Sequence, residues 1–425
     1  MDDEHIYSLA DLVDLAESHN PETRAAWQNA KMRGADLGIA RSALYPTITA
    51  VALASTTRTG VLLGDDFHRQ TVGLFQPTLN LTYLVFDFGG RSGDIAEAKA
   101  ELFAADFSFN NVHRRIIYQI TATYYRLLNA LGQEEAAKAT LANAQAVQQE
   151  AESRLRDGLA TLPDVLEARA ATAQADYDLQ AEIGAVEIAQ GDLSTTLGLP
   201  PNSQYHVQDV NDLTIPEALT ESVDQAIDRA FEQRPDLMQQ VASLRAADAS
   251  LTTSRSTYLP TLAFSGIGGL QRGYGRQDLL PDTYARGETW NVQLALQWDL
   301  FDGARREHRI AEAKAKQARA KADIDLLRDQ VSDEVWAAYS NARTALRQRQ
   351  AASALLQSAD RSYTAAVRSY DLGLRNLLDV VSAQRALAQA RTADVTARTQ
   401  VLTQMSNLAF RTGDLLRAKT SKGGP

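Results

Sequence analysis

Cysteine is absent from the 425-residue chain. That excludes disulfides, thiolate metal sites, a cysteine nucleophile and a lipidated amino-terminal cysteine. No run of 18 or more apolar residues occurs, so the sequence contains no transmembrane-helix pattern. Basic side chains are outnumbered, 43 Lys and Arg against 53 Asp and Glu, for a formal charge of −10. A nucleic-acid backbone is therefore not an expected partner, because phosphate binding needs a basic face. The six histidines (5, 19, 68, 113, 206 and 308) are scattered, with no pair at metal-ligand spacing. No secretory leader is legible in the opening residues: Met1-Asp2-Asp3-Glu4 is acidic where such a leader is basic. A cytosolic protein, or a mature chain whose signal was removed, fits that start.

What the sequence does contain is itself, twice. A shift of 214–215 positions aligns Ser8 with Ser222, Asn20-Pro21 with Arg234-Pro235, and RSALYPTI (41–48) with RSTYLPTL (255–262). FDFGGR (86–91) meets FDGARR (301–306), and AEAKA at 96 meets AEAKA at 311. Gly158 meets Gly373, Asp164 meets Asp379, and Leu197-Gly198 meets Thr412-Gly413. The register holds over about 400 residues, which implies one structural unit duplicated and fused. Residues 1–215 are expected to form the first repeat, 216–413 the second, and 414–425 a flexible tail.

Each half reads as helix, two strands, then two helices. Pro46 and Pro260 end the early helices, since the residue before a proline avoids the helical region. A period of two follows. Trp290, Val292, Leu294, Leu296 and Trp298 alternate with Asn291, Gln293, Ala295 and Gln297, and Phe75 to Val85 behaves likewise. The preceding strands, near 47–59 and 261–274, alternate less cleanly. Gly60–Gln70 and Gly275–Glu288 read as loop tips. After the glycines Gly89, Gly90 and Gly303 a helical period resumes, over about 91–157 and 304–371. In the second of these helices Leu327, Val331, Val335, Ala338, Ala342, Ala345, Ala352, Leu355, Ala359, Tyr363, Ala366 and Tyr370 form a heptad-like, alanine-rich seam. At 1.5 Å per residue such a helix is roughly 100 Å long. It turns at Gly158 or Gly373 and returns over about 161–197 or 376–411, and Leu199–Pro216 links the halves.

Four strands of this length could cross a bilayer as part of a tilted barrel. Four cannot close one, because an open sheet in lipid leaves both edges unpaired. Several chains would have to pool their strands. A soluble four-stranded sheet covered by helices is the other reading of the pattern. Clustering of Trp290, Trp298, Phe301, Tyr83, Phe86, Phe88, Tyr45 and Tyr258 at strand ends favours the membrane, where aromatic belts mark the interfaces.

This order resembles the TolC-like outer-membrane channel proteins of Gram-negative efflux and secretion systems, over nearly the whole chain. The resemblance rests on the Tyr-x-Pro-type lead-in (Tyr45-Pro46; Tyr258-Leu259-Pro260), the FDGGR-type exit and the turn YDLGLRNLLDV (370–380). It implies a mostly α fold with a small β part: long coiled-coil hairpins plus four transmembrane β-strands per chain, closing into a 12-stranded β-barrel in a homotrimer embedded in outer-membrane lipid. Residues 46–90 and 260–303 would make the barrel, and 91–198 and 304–413 a periplasmic α-helical tunnel. Pro46, Pro260, Gly89, Gly90 and Gly303 would be the barrel–helix junction. The implied function is a passive exit duct with no cofactor and no catalysis, driven by a periplasmic adaptor and an inner-membrane RND (proton-driven) or ABC (ATP-driven) transporter. The family favours drug efflux over protein secretion. The Gly158 and Gly373 turns would be the adaptor-docking tip.

The resemblance also implies a periplasmic gate at these turns. By motif position Tyr370 and Arg375 would bond to Asp164, and Asp379 would ring the pore. The family's second ring aspartate is Ser382 here, which departs from a double acidic ring. Turn chemistry reads the same aspartates differently. Thr161 to Asp164 and Asn376 to Asp379 are each an N-cap followed by an acid at N3, which stabilises a helix start by about 0.5–1 kcal/mol. SGIGGL (265–270) lacks the third glycine of a phosphate loop. Asp323 and Asp325 point to different helix faces. A soluble coiled-coil scaffold or adaptor remains the alternative function, separated from the duct by the apolar strand faces, for which a scaffold has no use.

Overall fold

The computed structural model of the chain describes residues 6–208, 213–278 and 280–414. His5, part of the linker, and the tail beyond Asp414 lie outside the described residues. The element order runs β1 (Ile6–Tyr7), α1 (Leu9–His19), α2 (Pro21–Ser42), β2 (Thr47–Leu63), β3 (Asp66–Phe86), α3 (Gly90–Arg156) and α4 (Leu162–Thr196). It continues β4 (His206–Val207), α5 (Val223–Gln233), α6 (Pro235–Ser256), β5 (Thr261–Gln277), β6 (Thr283–Gln297), α7 (Arg305–Asp371) and α8 (Leu377–Thr412). Among the described residues no helix is long and apolar enough to cross a membrane. The chain divides into two compact units.

The first unit comprises the described residues of Met1–Gln28, Phe107–Met238 and Asp325–Pro425. Its helices start on side-chain caps: Ser8 and Ser222 each form a capping box, with Asp11 and Gln225 at N3. One core gathers Leu12 and Ala16 of α1 against Ile116, Ile120 and Tyr124 of α3 and Leu193 of α4. The second half repeats it with smaller side chains, Ala226 and Ala230 against Val331 and Val335. On α7 the alanine seam is buried at Ala338, Ala342, Ala345, Ala352, Ala359 and Ala366. Leu355 departs from it. That side chain is exposed and the neighbouring Leu356 packs against Ala359 and Leu387 instead, because 3.6 residues per turn drift from a strict heptad. β1 and β4 pair in parallel, two residues each, too short to show any period in the sequence.

The second unit, Asn29–Asp106 with Gln239–Ile324, holds a four-stranded antiparallel sheet in the order β2-β3-β5-β6. The strands have 17, 21, 17 and 15 residues. They reach far into the segments expected to be loops: β2 and β3 pair up to Leu63↔Asp66, leaving a two-residue turn with Gly64 at φ +65°. The polar residues there do not break the ladder. Since β6 begins at Thr283, Trp290 lies in mid-strand opposite Gly268, and Tyr274 and Tyr284 pair nearer the turns. Register aligns the faces of all four strands. Ile48, Phe75, Leu79, Leu81, Phe264, Val292, Leu294 and Leu296 share one face. Thr49, Thr57, Thr78, Asn80, Ser265 and Gln293 share the other.

The two strand-to-helix exits explain the FDFGGR and FDGARR motifs. The chain reverses through left-handed residues, Phe88 and Gly89 in one half and Gly303 and Ala304 in the other. Asp87 accepts the Arg91 backbone N–H at 2.6 Å and Asp302 accepts that of Arg306 at 3.2 Å, so each aspartate caps a long helix. The Arg91 guanidinium donates to the Ala43 and Val85 carbonyls, stitching helix end to strand end. Arg306 lies over the Tyr258 ring at 5.0 Å. Pro46 and Pro260 stand directly before β2 and β5, and a Cβ on Gly90 would press on Asp87 and Ser256.

Candidate functional site

The candidate site lies in the first unit, where the turn between α3 and α4 meets the turn between α7 and α8. Each long helix ends in a Schellman-type turn: Leu159 N–H donates to the Arg154 carbonyl and Leu374 N–H to that of Ser369, both at 2.8 Å. Gly158 (φ +74°) and Gly373 (φ +73°) supply the left-handed residue that such a turn needs. Val147, Ala151, Val165 and Ala168 of the first hairpin pack with Ala366, Tyr370, Leu377, Val380 and Val381 of the second in one buried cluster.

Tyr370 is 8% exposed. Its partner is Arg154, whose guanidinium lies 4.3 Å from the ring centre and donates to the Tyr370 carbonyl at 2.8 Å and the Asp371 carbonyl at 2.9 Å. Glu150 holds the other edge of that guanidinium at 2.7 Å. Burial raises the Tyr370 hydroxyl above the ordinary phenol value, nearby Arg154 acts to lower it, and Asp164 raises it again. The phenol therefore stays neutral at physiological pH. Arg154 itself is held more firmly protonated by its bond to Glu150.

Asp164 is half-buried and spends one oxygen on the helix start, accepting the Thr161 backbone N–H at 2.9 Å and its hydroxyl at 2.7 Å. Those two bonds lower its pKa. Asp379 is exposed, and its backbone N–H donates to the Asn376 side chain at 3.0 Å. Arg375 and Ser382 are exposed as well. No ion pair of Arg375 or Asp379 occurs among the described residues. So the structure brings Asp164 and Tyr370 together in one region, leaves Arg375 reaching outward, and puts Arg154 where the sequence offered no signal. Arg385 adds a second link between the hairpins, 3.3 Å from Glu167. At the tips themselves Leu159, Leu162, Leu372, Leu374 and Leu378 are exposed, an apolar surface also missed in the sequence.

Among the described residues no group of three or more His, Cys, Asp or Glu is placed to hold a metal ion. What the arrangement can do is mechanical. The two hairpin ends are fastened by a shared apolar cluster, by Arg154 over the Tyr370 ring and on two opposing carbonyls, and by the Arg385–Glu167 pair, while Arg375, Asp379 and Ser382 face solvent.

The sequence profile of the family described as Outer membrane efflux protein matches residues 12–199 and 226–414. Protein CyaE of Bordetella pertussis is 29% identical over 420 residues, covering 98% of this chain and 86% of the relative. Outer membrane efflux protein BepC of Brucella suis is 23% identical over 402 residues, covering 94% and 83%. The crystal structure of the Campylobacter jejuni CmeC outer membrane channel superimposes with a TM-score of 0.79 at 21% identity, covering 96% of this chain and 85% of that one.

Proposed function

This chain belongs to the outer membrane efflux protein family, and on that premise we propose that it is the trimeric exit duct of a tripartite efflux or type I secretion system. It is an outer-membrane protein with a periplasmic helical extension. Residues 46–90 and 260–303 then contribute to the barrel, and 91–198 and 304–413 to the tunnel. The observation that carries this reading is the sheet of the second unit. One face carries a continuous apolar band next to the helices, with Trp290, Val292, Leu294 and Leu296 each more than half accessible. Among the described residues β2 and β6 each lack a neighbour on one side. In lipid those edges must be paired. An even number of antiparallel strands makes the two edges run in opposite directions, so β6 of one copy can pair with β2 of the next around a closed ring. Two copies would give eight strands, whose interior side chains fill, while three give twelve and leave a lumen.

The duct conducts passively and binds no cofactor. A periplasmic adaptor docks at the Gly158 and Gly373 tips, where the exposed leucines supply apolar surface, and an inner-membrane RND or ABC transporter supplies the energy. Tyr370, Arg375 and Asp164 form the periplasmic gate, with Asp379 and Ser382 facing the pore. The test is light scattering of the detergent-purified chain followed by planar-bilayer recording. Three chains per particle and a channel whose conductance rises in the Tyr370→Phe/Arg375→Ala variant are expected. A monomer soluble without detergent would point to a helical scaffold instead. Unchanged conductance in the variant would remove the gate assignment and leave the duct standing.

A further inference from the structure

We infer that the outward face of the sheet carries a binding site for a phosphorylated glycolipid of the outer leaflet, centred on Arg272 and Arg286. The inference rests on the placement of the sheet in the membrane proposed above. Every arginine of the four long strands (Arg58, Arg69, Arg272, Arg276 and Arg286) has the parity of the apolar residues, and these strands contain no lysine. A duct that used these charges on its contents would place them on the polar face. They are also confined to one level. On β5 the apolar band runs from Leu262 to Leu270, about 27 Å along the strand at 3.4 Å per residue, and the next same-face residues are Arg272, Tyr274 and Arg276. The helices of this unit join the sheet at the opposite end. The arginines thus sit at the distal rim of the band, where outer-leaflet headgroups begin.

Arg272 and Arg286 are direct cross-strand partners. Like charges so placed repel, and among the described residues no carboxylate lies within 4.0 Å of either. The neighbours are accounted for differently: Arg276 pairs with Asp282 at 3.1 Å and Arg58 donates to the Thr71 hydroxyl at 3.0 Å. Glu288, opposite Leu270, is the acid nearest along this face. A phosphate bridging the two guanidinium forks removes the repulsion and matches their geometry. Beside them is a depression of about 400 Å³ lined by Phe75, Gly73, Tyr274, Tyr284 and Arg272. It has an aromatic floor because Gly73 has no side chain. A Cβ there would fall 2.0 Å from the Tyr274 ring, which lies across the neighbouring strand with its hydroxyl 3.3 Å from that of Thr56. Apolar floor and cationic edge together suit a lipid that carries phosphate above acyl chains, more than they suit a free anion.

The test uses the intact chain purified in detergent, titrated with bisphosphorylated lipid A, with the same lipid stripped of both phosphates, and with inorganic phosphate. The bisphosphorylated lipid is expected to bind best, and Arg272→Gln/Arg286→Gln to weaken it about 30-fold, from roughly one surface-arginine contribution each. Arg272→Lys/Arg286→Lys should recover part of the loss. Equal binding by the Gln variant, by the stripped lipid, or full competition by inorganic phosphate would overturn the proposal. Conductance of the same preparations separates the two readings. A channel without phosphate preference sinks the lipid site alone, whereas absence of any channel from the wild-type chain sinks the membrane placement with it.

Discussion

Arg154→Ala should release the end of α7 while leaving the rest of the helical unit intact. The arginine makes two charge-assisted hydrogen bonds to the Tyr370 and Asp371 carbonyls and one contact over a buried ring. Hydrogen bonds of that kind contribute about 1.5–3 kcal/mol each, and a partly desolvated cation–π contact about 1–2 kcal/mol. The sum overstates the effect, because water can replace the guanidinium at carbonyls near the helix end and the Arg154 side chain is itself 15% exposed. A loss of about 3 kcal/mol in the free energy of opening this turn is the reasonable figure. That corresponds to a factor of roughly 100 in the open population. Amide hydrogen exchange over residues 372–381 at neutral pH reads it directly.

Two companion variants make the measurement decisive. Tyr370→Phe keeps the ring under Arg154, so local protection should change little. Arg375→Ala removes an exposed side chain that pairs with nothing in its own chain among the described residues, so protection should again hold. If Arg154→Ala changes exchange less than threefold, or if Arg375→Ala matches it, the assignment of the fastening to Arg154 is wrong.

Two further outcomes follow from packing and charge. Gly93→Ala should lower the melting temperature, because its Cβ would lie 2.2 Å from the Thr253 hydroxyl and 3.0 Å from that residue's backbone nitrogen; overpacking of about 1–3 kcal/mol outweighs the helix-propensity gain of about 1 kcal/mol, and a higher melting temperature would refute the close approach. Asp236→Asn should cost about 1.5–3 kcal/mol, the loss of one charged hydrogen-bond partner, since Asp236 accepts two bonds from Arg234 at 2.6 and 3.1 Å while Arg234 keeps Glu334 at 2.7 Å. Burial alone would raise the Asp236 pKa, but bonded Arg234 and nearby Arg114 bring it below the ordinary carboxylate value. A depressed carboxylate contributes its stability above the ordinary value and loses it as pH falls through the lowered one. The gap between wild type and variant in melting scans should therefore narrow on acidification, and a gap constant down to acid pH would contradict the ion-pair account.

Much of the architecture is legible in the sequence because its signals are local. Prolines at 46 and 260, glycines at 158 and 373, and the Asp of each FD motif act through their own backbone or within four residues of it. The strand tips were not legible, because Gly, Thr and Arg beyond the apolar band look like loop residues until a neighbouring strand supplies the ladder. Leu355 and Leu356 differ only in helix rotation, which a heptad count cannot resolve. Arg154 is the clearest case. It sits in SRLRDG beside Arg156, and nothing nearby distinguishes the two. Its role depends on a ring 216 positions away, so only the packing of the hairpins reveals it.

The same contact explains why the two halves of a duplicated chain must differ at their turns. The offset of 215 sets Arg154 and Leu155 of the first half against Ser369 and Tyr370 of the second. Identical halves would bring arginine to arginine or ring to ring, and neither pair gives a cation over an aromatic face with spare donors for the opposing carbonyls. Divergence of two adjacent positions supplies the cation from one hairpin and the ring and carbonyls from the other. The Arg154 fastening is therefore made within the chain. Arg375, Asp379 and Ser382 stand outside it and face solvent.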